Sequence, residues 1–122
     1  MEGSAASAWL KGVQSAPTCT LGLVLKQSLP LDFFGLSLPR DGEAIPIVAV
    51  CVQERKVSGL VPAGKSALVV IPTPEQSASL CSLEPAEILD RCLPAIERVV
   101  GSVRSLILRA RVTAFPEGYT VF

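Results

Sequence analysis

The sequence predicts one α+β domain, in which a mixed or antiparallel sheet of about five strands is covered on one face by one main helix and short helices. Three observations lead to this fold class. Apolar, β-branched segments recur between turn residues, as is typical of strands. One late segment instead has apolar residues at helical spacing, and an alternating segment follows it. With 122 residues, of which 49% are hydrophobic, the chain is long enough to bury one core.

Five segments are predicted to be strands. Residues 18–27 (TCTLGLVLKQ) form a long apolar segment, which favours a central position in the sheet. The other four strands are predicted at residues 33–39, 45–53, 67–71 and 105–113.

Two turns are predicted beside these strands. The segment RDGEA (40–44) is typical of a hairpin turn, because Asp41-Gly42 tolerates a positive φ angle. After the last strand, Pro116-Glu117-Gly118 predicts a second turn, and residues 119–122 then restart as a strand.

The main helix is predicted at residues 85–100 and is expected to end at Gly101. It contains Pro94, which we expect to kink it by freeing the Asp90 carbonyl. Both residues map to the charged face, where water can satisfy that carbonyl. The apolar face consists of Ile88, Leu89, Cys92, Leu93, Ile96, Val99 and Val100.

Two short helices complete the prediction. Residues 4–11 can form a helix capped by Ser4 and ended by Gly12. A second short helix follows Thr73, because Thr73, Pro74 and Gln76 form a capping-box pattern.

The composition excludes several classes of function. Eleven basic and eleven acidic side chains cancel, so no net field attracts nucleic acid or an anionic membrane. The sequence has no histidine, which excludes Ser-His-Asp and Cys-His catalysis and His-containing metal sites, and we predict no metal site. The cysteines lack CxxC spacing and have apolar neighbours, which predicts buried free thiols. They are Cys19, Cys51, Cys81 and Cys92.

The N-terminal residues lack the basic start and long apolar run of a signal peptide, and Pro and charged residues interrupt every apolar run, so we predict neither a signal peptide nor a transmembrane segment. We therefore expect a cytoplasmic protein, with peripheral membrane association of a larger parent protein as the alternative. The mean hydropathy of +0.48 is high for a free-standing domain, which indicates apolar surface that faces something else. Trp9 is either a packing residue or a docking contact for a neighbouring structure.

One segment matches the phosphate-binding P-loop pattern G-x-x-x-x-G-K-S. It is GLVPAGKS, residues 59–66. A P-loop needs a helix directly after it, so that backbone amides and the helix N-terminus hold the phosphates. Here the β-branched run ALVVI and two prolines follow, which predicts a strand. We therefore interpret the segment as a loop between strands with an exposed lysine.

Charged residues give no catalytic constellation. Arg109 and Arg111 share one face of the last predicted strand, where they either bind an anionic ligand or cover a solvated sheet face. Glu84, Glu87 and Asp90 stand at the start of the main helix, where the helix dipole favours carboxylates.

Several motifs occur in the order found in one family of flavoproteins. SAPTCTLGLVL is similar to the strand y-x-P-x-a-t-v-x-L, and FFGLSLPR to G-F-G-x-L-x-P-R. VPAGKSALVV is similar to A-P-E-G-K-x-L-L, RVVG to a helix ending in V-L-G, and VTAFPEGYTV to W-x-x-A-x-P-x-Y-T. Over nearly its whole length the chain thus resembles the second segment of the substrate-binding domain in FAD-dependent amine oxidases and their protoporphyrinogen oxidase-like relatives.

This resemblance implies a function that the chain cannot perform alone. The parent protein would be an FAD-dependent oxidoreductase, and residues 1–122 would be one domain excised from it, continuing past Phe122 into the FAD-binding domain. The sequence has no G-x-G-x-x-G fingerprint, so the fragment is expected to bind no FAD and to be inactive in isolation. Its role would be to line an apolar pocket for a ring-containing small-molecule substrate, through Phe34, Gly35 and Ser37.

The chain departs from the family patterns at two positions. Ser37 stands where protoporphyrinogen oxidases usually have leucine, and Thr20-Leu21 stands where amine oxidases commonly have a flavin-facing lysine. Two other hypotheses remain beside the flavoprotein fragment. One is a self-contained interaction or dimerisation module without enzymatic activity, and the other is a nucleotide-binding P-loop protein.

Overall fold

The computed structural model describes residues 5–38 and 46–121, and its architecture confirms the predicted α+β class. The helices are α1 (Ala5–Lys11), α2 (Pro74–Leu80) and α3 (Pro85–Val100). The strands are β1 (Gln14–Leu25), β2 (Gly35–Ser37), β3 (Ile47–Val52), β4 (Ser66–Pro72) and β5 (Ile107–Val121). Short 3₁₀ turns occupy Gln53–Arg55 and Arg104–Leu106. Ser4 and the predicted hairpin turn at residues 40–44 lie outside the described residues.

The five described strands form one antiparallel sheet in the order β2-β3-β4-β1-β5. The apolar strand β1 lies between β4 and β5, which confirms its predicted central position. β2 lies at one edge of the sheet and is only three residues long, Gly35–Ser37. Short edge strands are common in natural sheets. The sequence-predicted strand at 33–39 is therefore shorter than expected.

One face of the sheet forms the core together with α2 and α3. Along β1 and β4, every second side chain is buried, as the two-residue repeat of a strand requires. The predicted apolar face of α3 packs onto these side chains: Ile88, Cys92, Leu93, Ile96 and Val100 are buried, and Leu89 and Val99 are partly buried against the core. Pro94 and Asp90 are exposed, as predicted, and α3 runs through the proline without interruption.

The ends of the helices are capped by residues that the sequence marks. The Thr73 hydroxyl accepts a hydrogen bond from the Gln76 backbone N–H at 3.3 Å, which confirms the predicted cap of α2. Gly101 ends α3 with a φ of 87°, a conformation that favours glycine. The Glu97 carboxylate then accepts hydrogen bonds from the backbone N–H groups of Val103 at 2.8 Å and Arg104 at 3.4 Å.

The predicted turn at Pro116-Glu117-Gly118 is wrong. β5 is continuous to Val121 and pairs with β1 from end to end, including Ala16↔Tyr119 on one side and Thr18↔Phe115 on the other. Between these two pairs, three residues of β5 (116–118) face one residue of β1, so Pro116 lies in a bulge of β5. A bulge on an edge strand needs no ladder hydrogen bond from proline, which is why the strand continues.

The same pairing corrects two strand boundaries. β5 begins at Ile107 and joins the predicted segment 105–113 to the strand predicted from residue 119, and β1 begins at Gln14 rather than at residue 18. Each extension supplies the backbone partners of the other. Neither segment is strongly apolar where it is extended, so the pairing itself determines the boundary.

Candidate site on the open face of the sheet

The sheet has a second face, opposite α2 and α3, that no described helix covers. We call it the open face and define it by the side chains that alternate with the buried ones along each strand. On the three central strands these side chains are partly buried and uncharged. They are Thr20, Gly22, Val24, Ala49, Cys51, Ala67, Val69 and Ile71. A solvated face of an antiparallel sheet normally carries polar residues at these positions, so this face is unusually apolar.

Strand register places residues from all five strands in one row on the open face. Gly35 pairs with Cys51, Cys51 pairs with Val69, Val69 pairs with Gly22, and Gly22 pairs with Arg111. Adjacent strands are about 4.8 Å apart, so this row spans about 19 Å. A second row, two residues further along, contains Ala67, Val24 and Arg109.

The two rows form a shallow concavity over β1, β4 and β5. Its volume is ≈ 590 Å³. The floor is made by small or branched side chains of β1 and β4, the rim on the β5 side carries two arginines, and Gln53 lies at the end of β3. The principal lining residues are Gly22, Val24, Ala67, Val69, Arg109 and Arg111. A concave, mostly apolar surface with a few polar groups is the usual form of a small-molecule site.

Arg109 and Arg111 lie on the same face of β5, as the sequence predicts. They pair with Val24 and Gly22, and both side chains are exposed. Within the part of the chain that the structure describes, neither guanidinium has a hydrogen-bond or ion-pair partner. By contrast, Arg104 is paired with Asp90 at 3.1 Å on the helix side of the molecule.

The three sequence-predicted substrate residues lie together at the β2 edge. Gly35 and Ser37 belong to the open face, since they pair with Cys51 and Ala49. Phe34 precedes β2, its carbonyl accepts a hydrogen bond from the Val52 backbone N–H at 2.6 Å, and its side chain is 61% exposed. Gly35 and Ser37 are therefore on the face that carries the concavity but do not line it, because β3 lies between. Phe34 alternates with Gly35, so strand register does not place its side chain on this face.

The P-loop pattern is confirmed to be a loop between strands. Ser66, the last residue of the pattern, is the first residue of β4, where a P-loop would begin a helix. The Ser66 hydroxyl donates a hydrogen bond to the Glu54 carboxylate, which also accepts one from the Ala67 backbone N–H at 3.2 Å. The Ser66 hydroxyl and the Ala67 N–H, which a phosphate or a metal would need in a P-loop, are thus already hydrogen-bonded to Glu54. Lys65 is partly buried rather than fully exposed.

The four cysteines are free thiols, as predicted, but they divide between two environments. Cys19 and Cys92 are buried in the core, whereas Cys51 and Cys81 are partly exposed. Burial raises the pKa of the Cys92 thiol from 9.0 to about 11. Burial also raises the pKa of Cys19, to about 12, and the neighbouring Cys81 and Cys92 thiols add to this effect. Both buried thiols therefore stay protonated at neutral pH and are poor nucleophiles.

Two further observations limit the chemistry of the described residues. No group of three His, Cys, Asp or Glu side chains among residues 5–38 and 46–121 is placed to hold a metal ion. Over the same residues, every helix is too short or too polar to cross a membrane. Trp9 is 65% exposed and α1 buries no residue, so it is not a core packing residue.

Sequence reasoning missed the concavity because its floor consists of ordinary strand residues. Gly22, Val24, Ala67 and Val69 have no chemical signature, and only the strand order brings β1, β4 and β5 together. One signal was available: in β1 and β4 the side chains between the core positions are also uncharged. This pattern is typical of strands that are covered on both faces.

Comparison with solved structures shows proteins that contain the same fold. A protein from Exiguobacterium sp. 255-15, provisionally assigned as a protoporphyrinogen oxidase, matches with a TM-score of 0.74 and 17% identity. A reduced UDP-galactopyranose mutase matches with a TM-score of 0.66 and 15% identity. The matches cover 94% and 92% of this chain. They confirm the resemblance to protoporphyrinogen oxidase-like proteins as a likeness of fold.

The chain spans only about a quarter of each of these structures, 25% of the first and 24% of the second. No protein-family profile and no curated protein matches the sequence. The two named neighbours act on different substrates, so the shared fold does not identify the substrate of this chain.

Proposed function

We propose that this chain is the substrate-binding part of an FAD-dependent oxidoreductase of the amine oxidase and protoporphyrinogen oxidase type. In this proposal the open face forms one wall of an apolar substrate cavity, and the FAD-binding domain of the same parent chain faces it. The observation that carries the proposal is the uncharged open face of the three central strands. Such a face is expected where another structure or a ligand covers it.

The position of Thr20 supports this orientation. In the amine oxidases that the chain resembles, the lysine at the matching region of the first strand faces the flavin. Thr20 lies on the open face, beside Gly22, whereas Leu21 points into the core. The open face is therefore the side on which a flavin and a substrate would lie.

The residues of the open face fit a flat ring system. Gly22, Gly35, Ala49 and Ala67 leave the backbone accessible, so a planar molecule can approach closely. FAD, held by the missing domain, would accept a hydride from a C–H bond next to nitrogen. The residues of this chain would bind and orient the substrate and exclude water, with the exposed ring of Phe34 as an apolar wall.

The test is to sequence the coding DNA on both sides of this segment. We expect an upstream frame that encodes a strand, G-x-G-x-x-G and a helix, and a frame that continues past Phe122. The protein expressed from the whole frame should purify with flavin absorbance. A native start codon at Met1 together with a native stop after Phe122 would overturn the proposal.

Activity of that longer protein gives a second test. Protoporphyrinogen is the first substrate to assay, and Phe34→Ala should raise KM about five- to tenfold while leaving bound FAD unchanged. Trp9→Ala is the matched control, since Trp9 is a similarly exposed aromatic residue that belongs to α1 rather than to the sheet. If both variants behave alike, Phe34 does not contact the substrate.

The alternative function is a dimerisation module, which the same uncharged open face also favours. Sedimentation equilibrium of the chain separates the two. A stable dimer that Val69→Lys converts to a monomer would support pairing of two open faces. A monomer at all concentrations would remove this alternative.

A further inference from the structure

We infer that the concavity over β1, β4 and β5 binds an oxyanion that carries an apolar ring system, with Arg109 and Arg111 holding the acidic group. Only the identification of this ligand as a substrate rests on the proposed function. The binding itself is a property of the described residues and can be measured on this chain alone.

The floor of the concavity determines the shape of the ligand. Gly22 has no side chain, and Val24, Ala67 and Val69 surround it with methyl groups. This arrangement leaves a shallow apolar depression at Gly22 that can accept a flat ring system. Its volume of ≈ 590 Å³ lies within the range of small-molecule sites.

The rim determines the charge of the ligand. Among the lining residues that the structure describes, Arg109 and Arg111 are the charged ones, and none is a carboxylate. Their Cα atoms are two residues apart along β5, or about 7 Å. Two guanidinium groups at this spacing can contact one carboxylate, phosphate or sulfonate, and each presents paired N–H donors to it.

The two arginines also have an explanation that involves no ligand. Edge strands often carry charges that prevent pairing with other sheets, and β5 is an edge strand. That explanation predicts no preference for a particular ligand and no link between the arginines and the floor at Gly22. The two explanations therefore differ in a binding experiment.

The experiment uses two fluorescent probes with the same aromatic body. Anilinonaphthalene sulfonate carries the oxyanion, and N-phenylnaphthylamine lacks it. We expect the sulfonate to bind the chain more tightly, and the double variant Arg109→Gln/Arg111→Gln to weaken its binding about three- to tenfold. Binding of the neutral probe should not change. Arg91→Gln on the exposed side of α3 is the matched control and should leave both probes unaffected.

Gly22→Val tests the floor without disturbing the fold. A Cβ at residue 22 would meet only the Arg111 carbonyl oxygen, at an ordinary contact distance of 3.8 Å. Valine is also favoured in strands, so the thermal unfolding temperature should not fall. The new side chain fills the concavity, and we expect it to weaken the binding of both probes.

Equal affinity for the two probes, or an unchanged sulfonate affinity in the double arginine variant, would overturn the inference. Loss of binding in Arg91→Gln would do the same, because it would indicate a general charge effect. These outcomes are independent of the proposed function. Flanking DNA that encodes an FAD-binding domain can coexist with a failed probe experiment, and the probe preference can hold without such DNA.

Discussion

The two faces of the sheet are built from the same strands and differ in what covers them. On the core face, Val70 is fully buried under the helices, whereas its neighbour Val69 is partly exposed on the open face. Both residues are valines in one central strand, so residue type does not distinguish them. The comparison shows that β1 and β4 carry the apolar composition of a doubly covered strand in a structure that covers them once. An uncharged face of this kind is expected where a ligand or another structure covers it.

The largest expected effect compares these two valines directly. Val70→Ala should lower the free energy of unfolding by about 2–3 kcal/mol, because it removes two buried methyl groups and leaves a cavity. Val69→Ala should cost less than about 1 kcal/mol, since water can occupy the space. Urea denaturation of both variants measures the difference. Equal losses would mean that the open face is as well packed as the core.

A substitution at Glu54 sharpens the comparison, because its carboxylate contacts one residue of each face. Ser66 is on the core side and Ala67 on the open side. Glu54→Ala should lower the free energy of unfolding by about 2 kcal/mol, since it leaves a buried hydroxyl and a backbone N–H without a partner. Glu54→Gln keeps one acceptor and should cost less. The same denaturation experiment ranks the two variants, and the reverse order would contradict the hydrogen-bond assignment.

The cap of α2 affects the covered face alone. Thr73→Ala removes the acceptor for the Gln76 N–H and should cost about 1 kcal/mol. Thr73→Ser keeps the hydroxyl and is the control. Because α2 packs on the core side, probe binding at the concavity should be the same in both variants. A change in probe affinity would show that the two faces are coupled.

The pH dependence of stability reports on the buried thiols. The folded state holds the protons of Cys19 and Cys92 more tightly than the unfolded chain does, because burial raises their pKa from 9.0 to about 12 and about 11. Their contribution is therefore complete below pH 9 and is lost as the pH rises through these values. In Cys92→Ala the decline of the unfolding free energy between pH 9 and 11 should be shallower than in the wild type.

The smallest effect concerns thiol accessibility and leaves stability unchanged. Cys51 lies on the open face and should react with a thiol reagent in the native protein, while Cys19 and Cys92 should react only after unfolding. Mass spectrometry of the labelled peptides identifies the modified residue. Native labelling of Cys92 ahead of Cys51 would show that the helix cover opens more readily than we expect.

Sequence patterns predicted the helices and strands whose formation depends on residues close together in the chain. The four-residue spacing of Ile88, Cys92 and Ile96 predicts α3 and its buried face, and Thr73 and Gly101 mark helix ends through their own chemistry. The β-branched run after Lys65 predicts β4 and excludes a P-loop. These features depend on neighbours within one or two turns of the chain.

Features that depend on distant partners could not be predicted. The turn expected at Pro116 is a bulge because residues at the far end of the chain pair across it. The concavity likewise needs β1, β4 and β5 side by side, and no residue in its floor indicates that order. The arginine pair was predicted on one face of its strand, but its apolar neighbours come from other strands. The function of Phe34, Gly35 and Ser37 remains a prediction.

The central position of β1 also has a consequence for how the protein is made. Among the described strands, β1 emerges from the ribosome first, yet its longest partner, β5, is synthesised last. One edge of β1 therefore stays unpaired until nearly all the described residues have been translated. Pairing between strands so far apart in sequence slows folding, and the unpaired edge of β1 can meanwhile form hydrogen bonds with other nascent chains. We therefore expect production of this protein to depend on chaperones that shield β1.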